Sequence, residues 1–417
     1  MGEATLWYLE AIPIFCFGYP FVMAFYWMIG GILFWLAVEH RYTQLDRPPA
    51  LPSPPPISII VPCYNESETA FETFGALTAI DYPDFEIIAV NDGSRDNTAE
   101  ILDGLAGSMA NLRVVHLAAN QGKATAMNVG ALLARHELLV LIDGDALLDP
   151  HALRWAAWHF RIPTLGGLTG NPRIRNRTSI LGRLQVGEFS SIIGLIKRAQ
   201  ASYSRMYTVS GVVCAFRKRA LADAGWWSPH TLTDDVDITW RIQIAGWRVT
   251  YSPNVVVWIL MPETLRGLWR QRLRWAEGGT QMLLDNARPI LSGRAPALLP
   301  VYLNAAVSIL WAYCMLFTSV VGLLHAVHLQ VLTQLPTFSL IPDWYGTTLC
   351  TVYLMQASLS TWLERRFEPA AASSLFWIIW YPLAFWLLSA LTATVALPRA
   401  LLRPRSGRWT SPDRGLR

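Results

Sequence analysis

Hydrophobic and polar positions divide this chain into zones with different periodicities. From Ala11 to Val38 there is no Asp, Glu, Lys or Arg. That is longer than the about 20 residues a helix needs to cross a bilayer. Pro13, Gly18 and Pro20 interrupt its first part, so one tilted helix, or a re-entrant piece followed by a helix, satisfies the pattern. The Pro-rich segment from Pro48 to Pro56 reads as an extended spacer. Short apolar runs then alternate with polar stretches. The runs are Ile57 to Pro62, Glu86 to Val90, Arg113 to Leu117 and Leu138 to Ile142; helical stretches such as Asp96 to Ala106 and Lys123 to Ala134 lie between them. Continuous apolar strands alternating with helices predict an α/β domain, its mostly parallel sheet covered by helices on both faces. Beyond it, uncharged runs cover Ala295 to Pro342, Trp344 to Leu363 and Ala370 to Pro398, each able to hold a spanning helix. The expected organisation is a membrane segment (1–40), a linker (41–56), the α/β domain (57–262), an amphipathic interfacial helix (263–290), C-terminal membrane helices (295–398) and a basic tail (399–417).

Composition sharpens this picture. Hydrophobic residues make up 53% and charged residues 15% of the 417, and the mean hydropathy is +0.29. Disordered chains are poor in apolar residues and rich in charge, and soluble enzymes carry about 25% charge, so both classes are disfavoured. The 19 Trp and 16 Phe suit membrane interfaces. A net charge of +4 is too small to argue for nucleic acid. Five scattered cysteines without a C-x-x-C indicate neither a disulfide frame nor a zinc site. Glu3 and Glu10 precede the first apolar run, while Arg41 and Arg47 follow it, which puts the N-terminus outside and the α/β domain in the cytoplasm. The arginine-rich tail also asks for the cytoplasm, yet three spans leaving from that side end outside. Either the last run, broken at Pro382, is no simple span, or the charge rule fails there.

Ligands of parallel α/β sheets bind at the carboxyl ends of the strands, and three of the four runs end in polar clusters with carboxylates. Asp143-Gly144-Asp145 follows the fourth run directly. Alone it is an ordinary turn; at a strand end, with Asp92 at another, two carboxylates can hold a hard divalent cation that neutralises a diphosphate. Asn120-Gln121-Gly122-Lys123-Ala124 lacks the glycine spacing and following Ser/Thr of a P-loop. The only lysines are Lys123, Lys197 and Lys218; Lys123 reads as a surface lysine or, favoured in so lysine-poor a chain, as a phosphate contact. Thr233-Asp234-Asp235 precedes an amphipathic helix and serves either as its N-cap or as a general base over an acceptor hydroxyl. Gln271-Arg272-Leu273-Arg274-Trp275 lies on a basic helix from about Thr264 to Leu284. That helix is a membrane-surface element, or it also offers an Arg to phosphate and a Trp face to a sugar.

In this order, P-C-Y-N-E, N-D-G-S, N-Q-G-K, D-G-D, T-D-D and Q-R-L-R-W resemble the processive family 2 glycosyltransferases, which include cellulose, chitin and hyaluronan synthases. Gly170 to Arg175, Val186 to Lys197, Trp258 to Trp269 and Arg408 to Gly415 narrow the resemblance to the branch that makes bacterial poly-N-acetylglucosamine. The resemblance implies a GT-A nucleotide-diphospho-sugar transferase fold embedded in an α-helical membrane protein. It implies processive, inverting transfer of N-acetylglucosamine from UDP-GlcNAc to a growing chain, exported across the inner membrane as biofilm exopolysaccharide, with Mg²⁺ or Mn²⁺. It also implies a small membrane partner subunit and cyclic di-GMP control through that complex. Carried over residue by residue, Asp92 binds the uracil end of the nucleotide with Pro62, Tyr64 and Glu66 around it, and Lys123 touches the diphosphate. Asp145 is the main metal ligand with Asp143 beside it. Asp235 is the base; Asp234 stands where the family has Glu. Arg274 meets the diphosphate, and Gln271 and Trp275 the acceptor. Another family 2 polysaccharide synthase, a lipid-linked sugar transferase and a non-catalytic transporter or sensor are the alternatives. The Q-x-x-R-W motif opposes the lipid-linked reading, and the intact carboxylates oppose the last.

Overall fold

A computed structural model describes residues 3–177, 179–189, 193–327, 344–367, 376 and 386–402. Helix α1 (Glu3–Ala37) runs unbroken through Pro13 and Pro20, so the first apolar run is one helix. Pro20 has no N–H to offer the carbonyl of Cys16 one turn earlier; the indole N–H of Trp311 donates to that oxygen instead, at 3.0 Å.

The α/β domain starts with β1 (Ile57–Cys63), α2 (Ala70–Leu77), β2 (Phe85–Asn91), α3 (Thr98–Ser108), β3 (Leu112–His116), α4 (Lys123–Leu133) and β4 (Leu138–Ile142). It continues with β5 (Leu147–Leu148), α5 (Ala152–His159), β6 (Leu165–Ile174), α6 (Ile180–Glu188), α7 (Gly194–Ser202), β7 (Val213–Arg217), α8 (Lys218–Asp223), α9 (Asp234–Ile244) and β8 (Arg248–Ile259). The four apolar runs of the sequence are β1 to β4, each within a residue of its expected bounds. The eight strands form one sheet in the order β3-β2-β1-β4-β7-β6-β8-β5. The first four are parallel, whereas β7 runs antiparallel to both β4 and β6. Alternate residues feed two core layers. Ile57, Ile59, Val61, Ile87 and Val140 point to one face, and Ile60, Ile88, Val90, Leu139 and Leu141 to the other. The in-phase parallel register, Cys63 opposite Asn91, brings the carboxyl ends of β1 and β2 together.

After the domain come α10 (Leu265–Leu291), α11 (Leu299–Ala326), α12 (Trp344–Glu364) and α13 (Leu387–Leu402). Ala11–Ala37 and Pro296–His325 are the two described stretches long and apolar enough to cross a membrane. The run from Trp344 to Leu363 is a helix too, with Thr347, Thr348, Thr351, Gln356, Ser358, Ser360 and Thr361 along it. Residues 368–375, 377–385 and 403–417, including Pro382 and most of the basic tail, lie outside the described residues.

A sealed charge cluster joins helices to domain. Glu39, just after α1, accepts from Arg198 Nε (2.6 Å) and from Arg366 Nη2 (2.7 Å). Glu364, at the end of α12, accepts from Arg173 Nη1 on β6 (2.6 Å) and from Arg198 Nη1. Burial pushes the Glu39 carboxyl up, but Arg198 and Arg366 overcome it and hold it below the usual range.

Candidate active site

The loops after β1 and β2 interlock. Asn65 N donates to Ser94 Oγ (3.0 Å) and Arg95 N to Asn65 Oδ1 (2.9 Å). Glu66 N donates to Thr98 Oγ1 at 2.8 Å, and Glu66 is itself buried. Pro62 is buried in the last turn of β1, and Tyr64 stands half-buried beyond it. Asp92 is fully buried: Oδ1 accepts from Gln121 N and Oδ2 from Gly122 N, each at 2.8 Å. Desolvation raises its pKa against those two amides. Asp92 therefore clamps the N-Q-G-K loop to the β2 end. Gly93 has φ +63°, and a Cβ there would sit 2.5 Å from the carbonyl carbon of Ala119, so the clamp requires glycine at that position.

That clamp aims the start of α4. Lys123 Nζ donates to Asp143 Oδ1 at 2.5 Å and to the Gly211 carbonyl at 3.0 Å. Burial opposes the ammonium, but Asp143 and then Asp234 outweigh it and raise its pKa. The D-G-D turn is fixed from below, because Thr73 Oγ1 donates to Gly144 O at 2.9 Å. Asp145 is buried beside it.

Thr233 occupies the N-cap position of α9, without a side-chain cap bond, and Asp234 and Asp235 form its first turn. This corrects the expected polar stretch ahead of the helix and the reading of an aspartate as cap. Carboxylates in a first turn gain from the helix dipole. Even so, burial first, and Asp234 second, push Asp235 up to about 6, with Lys123 and Arg274 pulling the other way. Gly211 walls one side: a Cβ there would lie 3.4 Å from Asp235 Oδ2. Lys123, Asp143, Asp234, Asp235 and Arg274 thus form one electrostatic unit. Asp92 joins through the Gln121–Gly122 loop; Gln271 and Trp275 make no hydrogen bond to the unit among the described residues.

Helix α10 keeps Arg266, Arg270 and Arg274 exposed along its first half. Thr264 caps it, accepting from Gly267 N at 3.0 Å, and residues Glu277 to Leu283 are buried all round. The cause is Gly278-Gly279. A Cβ on Gly278 would meet Thr233 Cγ2 at 2.4 Å, and one on Gly279 the Tyr207 hydroxyl at 2.6 Å. The missing side chains let the helix press against the T-D-D turn, where Arg274 Nη1 reaches Leu232 O (3.3 Å). Arg272, to which the sequence reading gave no role, pairs with Glu188 (2.6 Å) and lies 4.4 Å over the Trp275 ring, fixing its orientation. Gln271 Oε1 and Thr233 Oγ1 are buried polar atoms without hydrogen-bond partners among the described residues. Buried polar atoms are ordinarily satisfied, so these two invite a ligand's donors.

No group of three or more metal-ligating side chains occurs among the described residues. Magnesium-type ions at phosphate sites use one or two carboxylates, with water and phosphate oxygens completing the shell. Asp143 and Asp145 fit that donor set. Lys197, Thr169, Glu188 and the two helix glycines also shape the site. Glu188 and Lys197 fall in the Val186 to Lys197 stretch of the resemblance, which gave neither a role.

Residues 54–278 match the family described as glycosyltransferase like family 2. The chain is 35% identical over 415 residues to a poly-β-1,6-N-acetyl-D-glucosamine synthase of Staphylococcus epidermidis, covering 95% of this chain and 97% of the relative. It is 36% identical over 404 residues to the enzyme of that name in Staphylococcus aureus, with 95% and 97% covered. Among solved structures it is similar to a mannosyltransferase of Pyrobaculum calidifontis in complex with GDP-Man and Mn²⁺. There the TM-score is 0.63 at 20% identity, with 94% of this chain and 98% of that chain covered. The fold is therefore GT-A-like.

Proposed function

The chain belongs to glycosyltransferase family 2, and from that premise we propose that it polymerises N-acetylglucosamine from UDP-GlcNAc into a β-1,6-linked chain. Asp235 takes the proton from the acceptor hydroxyl. The freed oxygen attacks the anomeric carbon from the face opposite UDP, and the bond to the diphosphate breaks, inverting an α-linked donor to a β-linkage without a covalent intermediate. Arg274 and Lys123 bind the diphosphate and stabilise its developing charge. Asp145 and Asp143 would hold the divalent cation, Mg²⁺ or Mn²⁺, whose positive charge also favours departure of the diphosphate. Pro62, Tyr64, Glu66 and the Asp92-clamped loop enclose the nucleotide base. Gln271 and the braced face of Trp275 receive the acceptor sugar.

The observation that carries this reading is Asp235 itself. It is a carboxylate pushed up to about 6, against one wall of glycine and within the field of Lys123 and Arg274. A general base works best with a pKa near the operating pH. A cavity of about 180 Å³ lies among the helices, where Tyr19, Trp27, Trp311, Tyr353 and Trp386 share the lining with Pro20, Met23, Ala24, Ile196 and Gln356; aromatic faces of this kind suit contact with a pyranose ring. We place the protein in the bacterial inner membrane as a multi-pass enzyme with its α/β domain in the cytoplasm.

The test uses membranes containing the protein, with and without its small membrane partner and cyclic di-GMP. UDP-GlcNAc, UDP-Glc or UDP-GlcA is added with Mg²⁺, and UDP release and polymer are followed. The expected product forms from UDP-GlcNAc alone, is digested by a poly-β-1,6-N-acetylglucosamine hydrolase, and disappears in Asp235→Asn. Polymer from another donor, or no UDP release in any arm, overturns the assignment.

A further inference from the structure

The mechanism above leaves unused a buried lysine beside the site. Lys197 on α7 is 7% exposed. Its ammonium makes a single hydrogen bond among the described residues, to Thr169 Oγ1 on β6 at 3.0 Å. The same hydroxyl accepts from Ser210 N at 2.8 Å. Ser210 leads into Gly211, which walls Asp235 and whose carbonyl accepts from Lys123. Thr169 is therefore the hub between a buried ammonium and the wall of the catalytic carboxylate. The next residue, Arg198, is fully buried and locked between Glu39 and Glu364, so α7 cannot slide.

We propose that Lys197 is a positioning residue for Asp235. Its hydrogen bond to Thr169 holds the Ser210–Gly211 wall in place, and its charge helps keep the carboxylate ionised. The proposal rests on Asp235 being the base. An ammonium with one hydrogen bond among the described residues is costly to bury, and the negative charge at Asp235 offsets that cost.

Several groups face Asp235: Asp234 from its own helix, Lys123 from α4, Arg274 from α10, Tyr207 from the segment ahead of β7, Cys214 from β7, and Lys197 from α7. Burial pulls Lys197 down to about 8, while Asp235 pushes it back up. By the reciprocal effect, removing the positive charge disfavours the Asp235 anion. The pH below which turnover fails then moves upward.

The experiment measures kcat for UDP release against pH, using the full-length protein in membranes at saturating UDP-GlcNAc. Lys197→Met is expected to move the acid limb up by a measurable fraction of a pH unit, with the donor KM changed less than about twofold. Lys197→Arg is expected to return the limb toward wild type. Thr169→Val keeps the charge and frees the wall; kcat is expected to fall several-fold with KM unchanged. A Lys197→Met profile lowered evenly at every pH, or not changed at all, overturns the proposal. Should Lys197→Met fail to fold, Thr169→Val decides, and a wild-type kcat there overturns it. Asp235→Asn separates the two failures. Retained turnover in that variant defeats the reading of Asp235 as base, whereas a dead Asp235→Asn beside an unmoved limb in Lys197→Met defeats the Lys197 role alone.

Discussion

Two clusters of charge sit within this protein, and they are built on opposite terms. At the junction with the helices, Arg198 and Glu364 are 0% exposed and every carboxylate touches two guanidinium groups. At the proposed active site, the side chains of Lys123 and Asp143 are 17% and 21% exposed, and Lys123 is paired with Asp143 by direct contact. That leaves Asp234 and Asp235 side by side in one helical turn, with Asp235 raised in pKa. Neutralised charge, sealed from water, fixes geometry. Unbalanced charge, open to a ligand, stores reactivity and costs stability.

The contrast breaks most visibly at Asp235. Asp235→Asn is expected to lower kcat by about 10³-fold, within the usual range for a general base, while UDP still binds; UDP release and equilibrium binding check the two halves. A charge removed from the junction acts on stability instead. Glu364→Gln leaves Arg173 and Arg198 under-compensated in a sealed site, for a loss of about 3 kcal/mol. Thermal unfolding in detergent reads that loss, and the pH midpoint of turnover is expected to stay where it was. The smallest effect tests the contact between α10 and the T-D-D turn. Gly278→Ala places a methyl 2.4 Å from Thr233 Cγ2. Turnover is expected to drop about tenfold by misplacing the base, with a smaller stability change than Glu364→Gln.

The active-site strands were legible because a strand buried on both faces is a continuous apolar run, and the carboxylates follow such runs directly. The chemistry of D-G-D and T-D-D could be read for the same reason: each lies at the end of one element. What escaped was tertiary. Arg266, Arg270, Arg272 and Arg274 make α10 look like a surface helix, yet two adjacent glycines bury its middle. The polar content of α12 is spread too thinly to signal that its last residue, Glu364, is sealed against β6 and α7. The junction unites residues 39, 173, 198, 364 and 366, a pairing that no local pattern encodes. Lys197 could be noticed as a rare residue type, but its partner Thr169 could not.

The central claim is that Asp235 is kept reactive at the expense of the fold, and thermal unfolding of Asp235→Asn against pH tests it most directly. Asp235 is raised from 3.8 to about 6 in the folded chain. Below about pH 4 it is protonated in both states, so it costs nothing. Between 4 and 6 the folded state holds the proton more tightly than the unfolded state, so stability falls as pH rises, and above 6 the full cost remains. The account predicts that Asp235→Asn is more stable than wild type at pH 8 by on the order of 2 kcal/mol, a gain that shrinks toward zero at pH 4. An Asp235→Asn protein that is less stable than wild type at pH 8, or whose difference from wild type does not vary with pH, would contradict it.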